Sequence, residues 1–277
     1  MPDDELVRRL RAAGCVFAER EAQLLRAATD DPRELDALTA RRVAGQPLEH
    51  VLGWAEFCGL RLAVAPGVFV PRHRSELLVD LAARRLRTGD VLVDLCCGTG
   101  ALAAALSARV PGLLVHAADV DPTAVRCARA NLPGAHVHTG DLFAALPAHL
   151  AGAVAVVVAN VPYVPSAQVA LMPPEAREHE ASAGLDGGAD GLDVLRRVVA
   201  GVGRWLRPGG ALVVEVGEAQ VPAAVRAARA AGLEAATATD EDGETTALVA
   251  LRPSAEPAAA GPAQTARSSG VRPVTAV

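Results

Sequence analysis

The chain has 277 residues, 51% hydrophobic and 21% charged, with a net charge of −5 and 27 basic residues that are all arginine. That length holds one large domain, or a large one with a small companion. With 3% aromatic residues the core is aliphatic. An acidic chain without a basic cluster argues against nucleic acid as a direct substrate, and no 18-residue apolar run free of charge and glycine predicts a membrane span.

The N-terminal stretch "MPDDELVRRLRAAG" is charged and has no apolar h-region, so no signal peptide is expected. Cys15, Cys58, Cys96, Cys97 and Cys127 form neither a C-x-x-C pair nor a regular framework, as suits reduced thiols. The expectation is a soluble cytoplasmic protein.

Residues 1–48 read as a small helical domain. Leu6, Leu10 and Ala13 share one helical face, Leu24 and Leu25 continue an apolar surface, and Leu35 and Leu38 form another. Asp3 and Asp31 are the expected helix starts, Asp31 directly before Pro32. Residues 49–74 alternate and carry Gly53, Gly59 and Gly67, which predicts a hairpin connector.

From about Ser75 the pattern becomes helix, strand, helix, strand. "SELLVDLAARRL" leads into "VLVDL" (Val91–Leu95). Then come a small-residue helix, "LLVHAAD", a helix over Pro122–Leu132, "AHVH" and "AVAVVVAN". After a glycine-rich segment follow a helix over Gly191–Leu206 and the strand "GGALVVEVG". Strands of near-continuous Val, Ala and Leu alternating with helices predict a doubly wound, mostly parallel sheet covered on both faces. After a helix over Val221–Ala231, Asp242-Gly243 separates two strand-like runs, a hairpin signal. Residues 75–252 thus form the main domain. Residues 253–277, rich in Pro, Ala and Ser without periodicity, read as a disordered tail.

In open α/β sheets ligands bind outside the carboxyl ends of the strands. The first such strand ends in "DLCCGTG", with Asp94, Cys96, Cys97, Gly98, Thr99 and Gly100. The second ends at Asp119, 21 residues beyond Gly98, where a carboxylate can accept both ribose hydroxyls of an adenosine. The third ends in Gly140-Asp141-Leu142, where a side chain can meet an adenine edge, and the fourth in Asn160-Val161-Pro162-Tyr163. Singly, each has a plainer explanation: a strand-to-helix turn, a cap (though Asp121 suits the cap before Pro122 better), a turn carboxylate, an Asx turn. Four at successive strand ends point to one adenosine-type site. Gly98-x-Gly100-x-x-Ala103 also satisfies a dinucleotide fingerprint, which keeps an NAD-dependent oxidoreductase as a rival. Against it, Asp94 puts negative charge where a pyrophosphate would lie; that charge suits the cationic amino group of S-adenosylmethionine.

With these residues in view the chain resembles the class I S-adenosylmethionine-dependent methyltransferases, whose seven-stranded sheet ends in a hairpin. Within them it is similar to the protein-(glutamine-N5) methyltransferases, which act on release factors or a ribosomal protein. The resemblance runs from Gln46 to Arg252. It is carried by "LGWAEFCGLRLAVAPGVFVPRHRSELLVD", "DLCCGTG", "LDGGADGLDVLRR" and "LRPGGALVVEVG". The family's N-P-P-Y motif here carries Val161 in place of its first proline. Its P-R-P-x-T-E element reads Pro71-Arg72-His73-Arg74-Ser75-Glu76, and Cys96-Cys97 stand where small residues are commoner, which marks a divergent subgroup.

The resemblance implies a catalytic turn of Asn160, Val161, Pro162 and Tyr163. The Asn160 side-chain oxygen and the Val161 carbonyl would accept the two hydrogens of a glutamine amide, aiming its nitrogen at the methyl group. Asp94, Cys96, Cys97, Gly98, Thr99, Gly100, Asp119, Asp141, Leu142 and Asn160 would line the S-adenosylmethionine site, and the helical domain would dock the protein substrate by position. Competing expectations are a methyltransferase for exocyclic base amines and a non-catalytic cofactor-binding relative. His136 and His138 alternate on one strand without a third ligand nearby and read as a solvated edge, so no metal is expected. Glu175 to Glu180 reads as a solvated segment beside the substrate channel.

Overall fold

The computed structural model describes residues 4–181, 184–240, 242–243 and 245–254. Asp3 and nearly all of the expected tail lie outside the described residues. Among the described residues no helix is long and apolar enough to cross a membrane.

Four short helices lead the chain: α1 (Glu5–Ala12), α2 (Ala18–Ala28), α3 (Pro32–Val43) and α4 (Leu48–Leu52). Asp4 caps α1 through the backbone N–H of Leu6, and Asp31 caps α3 through that of Arg33 at 2.9 Å, with Pro32 in the first turn. Leu6, Leu10, Ala18, Ala22 and Leu25 pack together, and Val51 of α4 completes this cluster. The helical run therefore continues a few residues into the expected connector, because Val51 has its apolar partners there. The hairpin β1 (Trp54–Phe57) and β2 (Leu60–Ala63) follows, its two-residue turn Cys58-Gly59 having both φ angles positive, 48° and 73°, as hairpin twist favours.

The main unit runs α5 (Glu76–Ala83), β3 (Val91–Leu95), α6 (Ala101–Arg109), β4 (Leu114–Asp119), α7 (Pro122–Asn131), β5 (His136–Thr139) and β6 (Val154–Ala159). It goes on through α8 (Ser166–Val169), α9 (Pro174–His179), α10 (Asp193–Trp205), β7 (Leu206–Val216), α11 (Val221–Ala230), β8 (Glu234–Thr239) and β9 (Thr246–Leu251). The seven main strands lie in the order β5-β4-β3-β6-β7-β9-β8. All neighbours from β5 to β7 are parallel, and β9 is antiparallel to both β7 and β8, so the sheet closes with the hairpin expected at Asp242-Gly243.

Alternation along the strands sends successive residues to opposite cores. Leu92, Val156 and Val158 pack with α5, α6 and α7, whereas Val93, Val157 and Ala159 pack with α10 and α11. All six residues of β6 are buried, which explains its unbroken run of Val and Ala. The chain winds outward from β3 to β5, then returns to place β6 on the other side of β3. That reversal opens a crevice above the carboxyl ends of β3 and β6.

Candidate active site

A cavity of about 840 Å³ occupies this crevice. Its floor is the glycine loop after β3, where Cys96, Gly98 and Gly100 all have positive φ, at 53°, 54° and 76°. At Gly100 the positive φ favours glycine, and a Cβ would stand 2.7 Å from Leu132 Cδ1, which would have to shift. Asn131, at the end of α7, holds the loop from behind. Its Nδ2 donates to the carbonyls of Thr99 and Ala63, both at 2.9 Å, and its Oδ1 accepts from the Ala63 N–H.

Asp119 binds the loop from the neighbouring strand. Its Oδ2 accepts from Gly98 N–H at 2.8 Å and its Oδ1 from Asp121 N–H at 2.9 Å. Asp121 is the cap of α7, accepting from Thr123 N–H. Burial holds the Asp119 carboxyl above its ordinary range. Asp94 is buried, accepts from Ala103 N–H through Oδ2, and keeps Oδ1 without a hydrogen-bond partner among the described residues. Burial first, then the nearby Asp119, pushes its carboxyl up to about 7. Asp94 borders the cavity, and an unpartnered buried carboxyl oxygen there suits a cationic donor. The ammonium group of S-adenosylmethionine is one, and the cavity is of the size such a ligand fills.

Cys96, Cys97, Thr99, Asp141 and Leu142 also line the cavity. Burial pushes the Cys96 thiol up to about 12 and the Cys97 thiol well above its ordinary value, so neither is a nucleophile. Asp141 pairs with Arg197 of α10 at the rim, and Leu142 adopts a φ of 47°.

The turn after β6 brings Asn160, Val161, Pro162 and Tyr163 to the same cavity. Asn160 Nδ2 donates to Ser75 Oγ at 3.2 Å, and Ser75 Oγ donates to Glu215 Oε2 at 2.7 Å. Glu215 Oε1 also accepts from Tyr163 OH at 2.9 Å and from Arg74 Nε at 3.0 Å, while Arg74 Nη2 donates to Tyr163 OH. Burial and the facing Glu215 raise the Tyr163 hydroxyl well above its ordinary value, so it stays protonated. Sequence reading named Arg74 and Ser75 only within the P-R-P-x-T-E-like element, not as site residues, and passed over Glu215; the pairing of that segment with the β7 carboxylate spans 140 residues.

The second glycine-rich block owes its composition to this turn. Gly187 N–H donates to the Val164 carbonyl at 2.8 Å, and Val164 N–H to Leu185. At Gly191 a Cβ would fall 2.2 Å from the Tyr163 carbonyl oxygen. Gln220 Nε2 donates to that same oxygen at 2.8 Å. The turn after β6 is thus clamped along its backbone.

One expectation needs correction. The Glu175–Glu180 segment is not uniformly solvated. Glu180 is buried, pairs with Arg72 at 2.6 Å and accepts from Val70 N–H, because Gly67 bonds to His179 and Ala181 on either side of it. Glu175 pairs with Arg42 of α3. The histidine edge is solvated as expected: His136 is exposed and His138 half-buried on the edge strand β5. His116 of β4 stacks on His136 and His138 with centroids 4.8 and 5.5 Å apart, and burial lowers the His116 ring to about 4. Among the described residues no group of three or more His, Cys, Asp or Glu is arranged to hold a metal ion.

The fold and cleft are those of a class I S-adenosylmethionine-dependent methyltransferase. Residues 59–179 match the family model "Methyltransferase small domain". The chain is 43% identical to the release factor glutamine methyltransferase of Streptomyces coelicolor, over 66% of this chain and 67% of that one. It is 37% identical to the 4-amino-L-phenylalanine/4-methylamino-L-phenylalanine methyltransferase of Streptomyces pristinaespiralis, over 68% of each. A methyltransferase from Pyrococcus furiosus shares the fold at a TM-score of 0.55 and 16% identity, over 79% of this chain and 99% of that one. The chain belongs to the release factor glutamine methyltransferase family. The oxidoreductase reading falls with this assignment.

Proposed function

We propose that the protein methylates the side-chain amide nitrogen of a glutamine in a peptide-chain release factor, with the Asn160-Val161-Pro162-Tyr163 turn as its catalytic element. Asn160 carries this reading: its Nδ2 is committed to Ser75, which leaves Oδ1 as a free acceptor in the cavity.

An amide nitrogen is a poor nucleophile because its lone pair is delocalised into the carbonyl. Bound S-adenosylmethionine supplies a methyl group made electrophilic by the sulfonium. Asp94 and Asp119 would hold it, Asp94 through its unpartnered oxygen and Asp119 through lone pairs not used by Gly98 and Asp121. Asn160 Oδ1 and the Val161 carbonyl accept the two hydrogens of the substrate amide, turn the nitrogen lone pair toward the cofactor and draw electron density onto nitrogen. As the carbon–sulfur bond breaks and the nitrogen–carbon bond forms, the amide nitrogen becomes strongly acidic, and its proton, hydrogen-bonded to one of these acceptors, is released to solvent. Pro162 keeps Val161 extended, so its carbonyl stays available. Tyr163, fixed by Glu215, forms the wall beside the amide.

The helical N-terminal domain, residues 1–48, is the proposed docking unit for the protein substrate. The Arg42–Glu175 pair supports this role, since it joins α3 to the segment that follows the catalytic turn.

The test is transfer of labelled methyl from S-adenosylmethionine to purified release factor, with the site mapped by mass spectrometry. A single methylated glutamine is the expected product. Ribosomal protein, RNA and free 4-amino-L-phenylalanine are the parallel acceptors. Label appearing only in one of these overturns the assignment of substrate. Asn160→Ala should lower turnover on the order of 100- to 1000-fold, the usual loss of one preorganised partner, with cofactor affinity little changed.

A further inference from the structure

We infer that Ser75 and Glu215 are positioning residues that decide which end of the Asn160 carboxamide faces the cavity. The inference rests on the reading of Asn160 as an acceptor. The oxygen and nitrogen of a carboxamide have nearly the same shape, so packing alone does not orient the group; its hydrogen-bond partners do. Here the polarity can be traced from one end. Glu215 sits near the end of β7, its side chain 4% exposed, and accepts hydrogens from Ser75, Tyr163 and Arg74. A carboxylate offers only acceptors, so Ser75 gives its single hydroxyl hydrogen to Glu215. Ser75 Oγ then has only lone pairs left for Asn160, and the group it faces must be Nδ2. Oδ1 is left pointing away from Ser75. In the flipped arrangement two acceptors would meet with no hydrogen between them.

The chain of donors thus runs from Asn160 to Ser75 to Glu215. Ser75 and Asn160 border the cavity, and Glu215 lies behind them. Arg74 and Tyr163 occupy the other carboxylate oxygen, which leaves Oε2 to Ser75. Without Ser75 the amide is free to turn its NH₂ toward the substrate, and a donor facing a donor cannot take up the hydrogens of a glutamine amide.

The chain contains two asparagines, Asn131 and Asn160, which permits a readout independent of activity. With ¹⁵N introduced at asparagine side chains of the full-length protein, each residue gives one pair of NH₂ resonances. In Ser75→Ala the Asn160 pair is expected to shift and exchange faster with water, while the Asn131 pair stays in place. Ser75→Thr, which keeps the hydroxyl, should restore the Asn160 pair. In steady-state methylation of release factor, Ser75→Ala is expected to lower kcat about 10- to 100-fold, with KM and cofactor affinity within about twofold. Ser75→Thr should recover most of that loss. Glu215→Gln should slow turnover comparably despite its matching shape, because a carboxamide can donate to Ser75 and reverse the polarity. Ser75→Ala combined with Asn160→Ala should be no slower than Asn160→Ala alone. An Asn160 pair unmoved in Ser75→Ala overturns the inference, as does a double variant whose losses multiply. If Asn160→Ala itself keeps full turnover, the catalytic reading of Asn160 has failed. If Asn160→Ala is slow and Ser75→Ala is not, only the positioning role has.

Discussion

Asp119 Oδ2 accepts the backbone N–H of Gly98 at 2.8 Å, so the carboxylate at the end of one strand also braces the loop at the end of the next. Two functions share one side chain. It fixes the glycine loop, and in the proposed reading its remaining lone pairs would meet the ribose of the cofactor.

Asp119→Ala is therefore expected to weaken S-adenosylmethionine binding by about 1.5–3 kcal/mol, the value of a hydrogen bond to a charged group. That is roughly 10- to 150-fold in the dissociation constant by calorimetry. Unchanged affinity would remove Asp119 from the cofactor site.

Asp94 gives a pH signature. Its carboxyl titrates near 7 when folded, against an ordinary 3.8. Between those values the folded protein keeps a proton that the unfolded chain has released. This group's contribution to stability is thus fully present below about pH 4 and is lost as pH rises through about 7. Urea unfolding of cofactor-free protein should show the wild type losing stability relative to Asp94→Asn across that interval, then running parallel to it. A difference that does not change with pH would contradict the burial argument.

Val161 tests how much of the turn resides in the backbone. Its side chain is 2% exposed and packs in the core below the turn. Val161→Pro keeps the carbonyl and restores the residue commoner in the family, so turnover should stay within about threefold. It also exchanges two buried methyl groups for ring methylenes of a different shape, and a modest loss of stability, below about 1.5 kcal/mol, is expected in the melting curve. A large loss of turnover in a folded variant would show that the valine side chain shapes the amide site.

Arg42 tests the joint between the helical domain and the segment beyond the turn. Its guanidinium donates to Glu21 and Glu175, and its side chain is 8% exposed. Arg42→Met leaves Glu21 nearly buried and unpaired and should cost about 3–5 kcal/mol in denaturant unfolding. Glu175→Gln, at the half-exposed end, should cost less than about 1 kcal/mol. If both variants are equally mild, the two pairs are surface contacts in energetic terms.

What the sequence by itself determined here was local in origin. Period-two and near-continuous apolar runs marked the strands because each residue's face follows from its neighbours. Asp31 before Pro32 and Asp121 before Pro122 marked helix starts because a cap bonds two residues ahead. Asp119 and Asn160 were legible because the end of a parallel strand is a binding position wherever the strand falls. The tertiary structure decided the rest. Glu215 sits in an apolar strand and reads as an ordinary residue until the fold brings Ser75 and Tyr163 to it. Glu180 reads as solvated until Gly67 and Arg72 close around it. His116 is hidden in its strand until β5 stacks beside it. Each of these depends on contacts between elements distant in the chain. Hydrogen-bond polarity and burial are set only when those elements meet, so no local pattern encodes them.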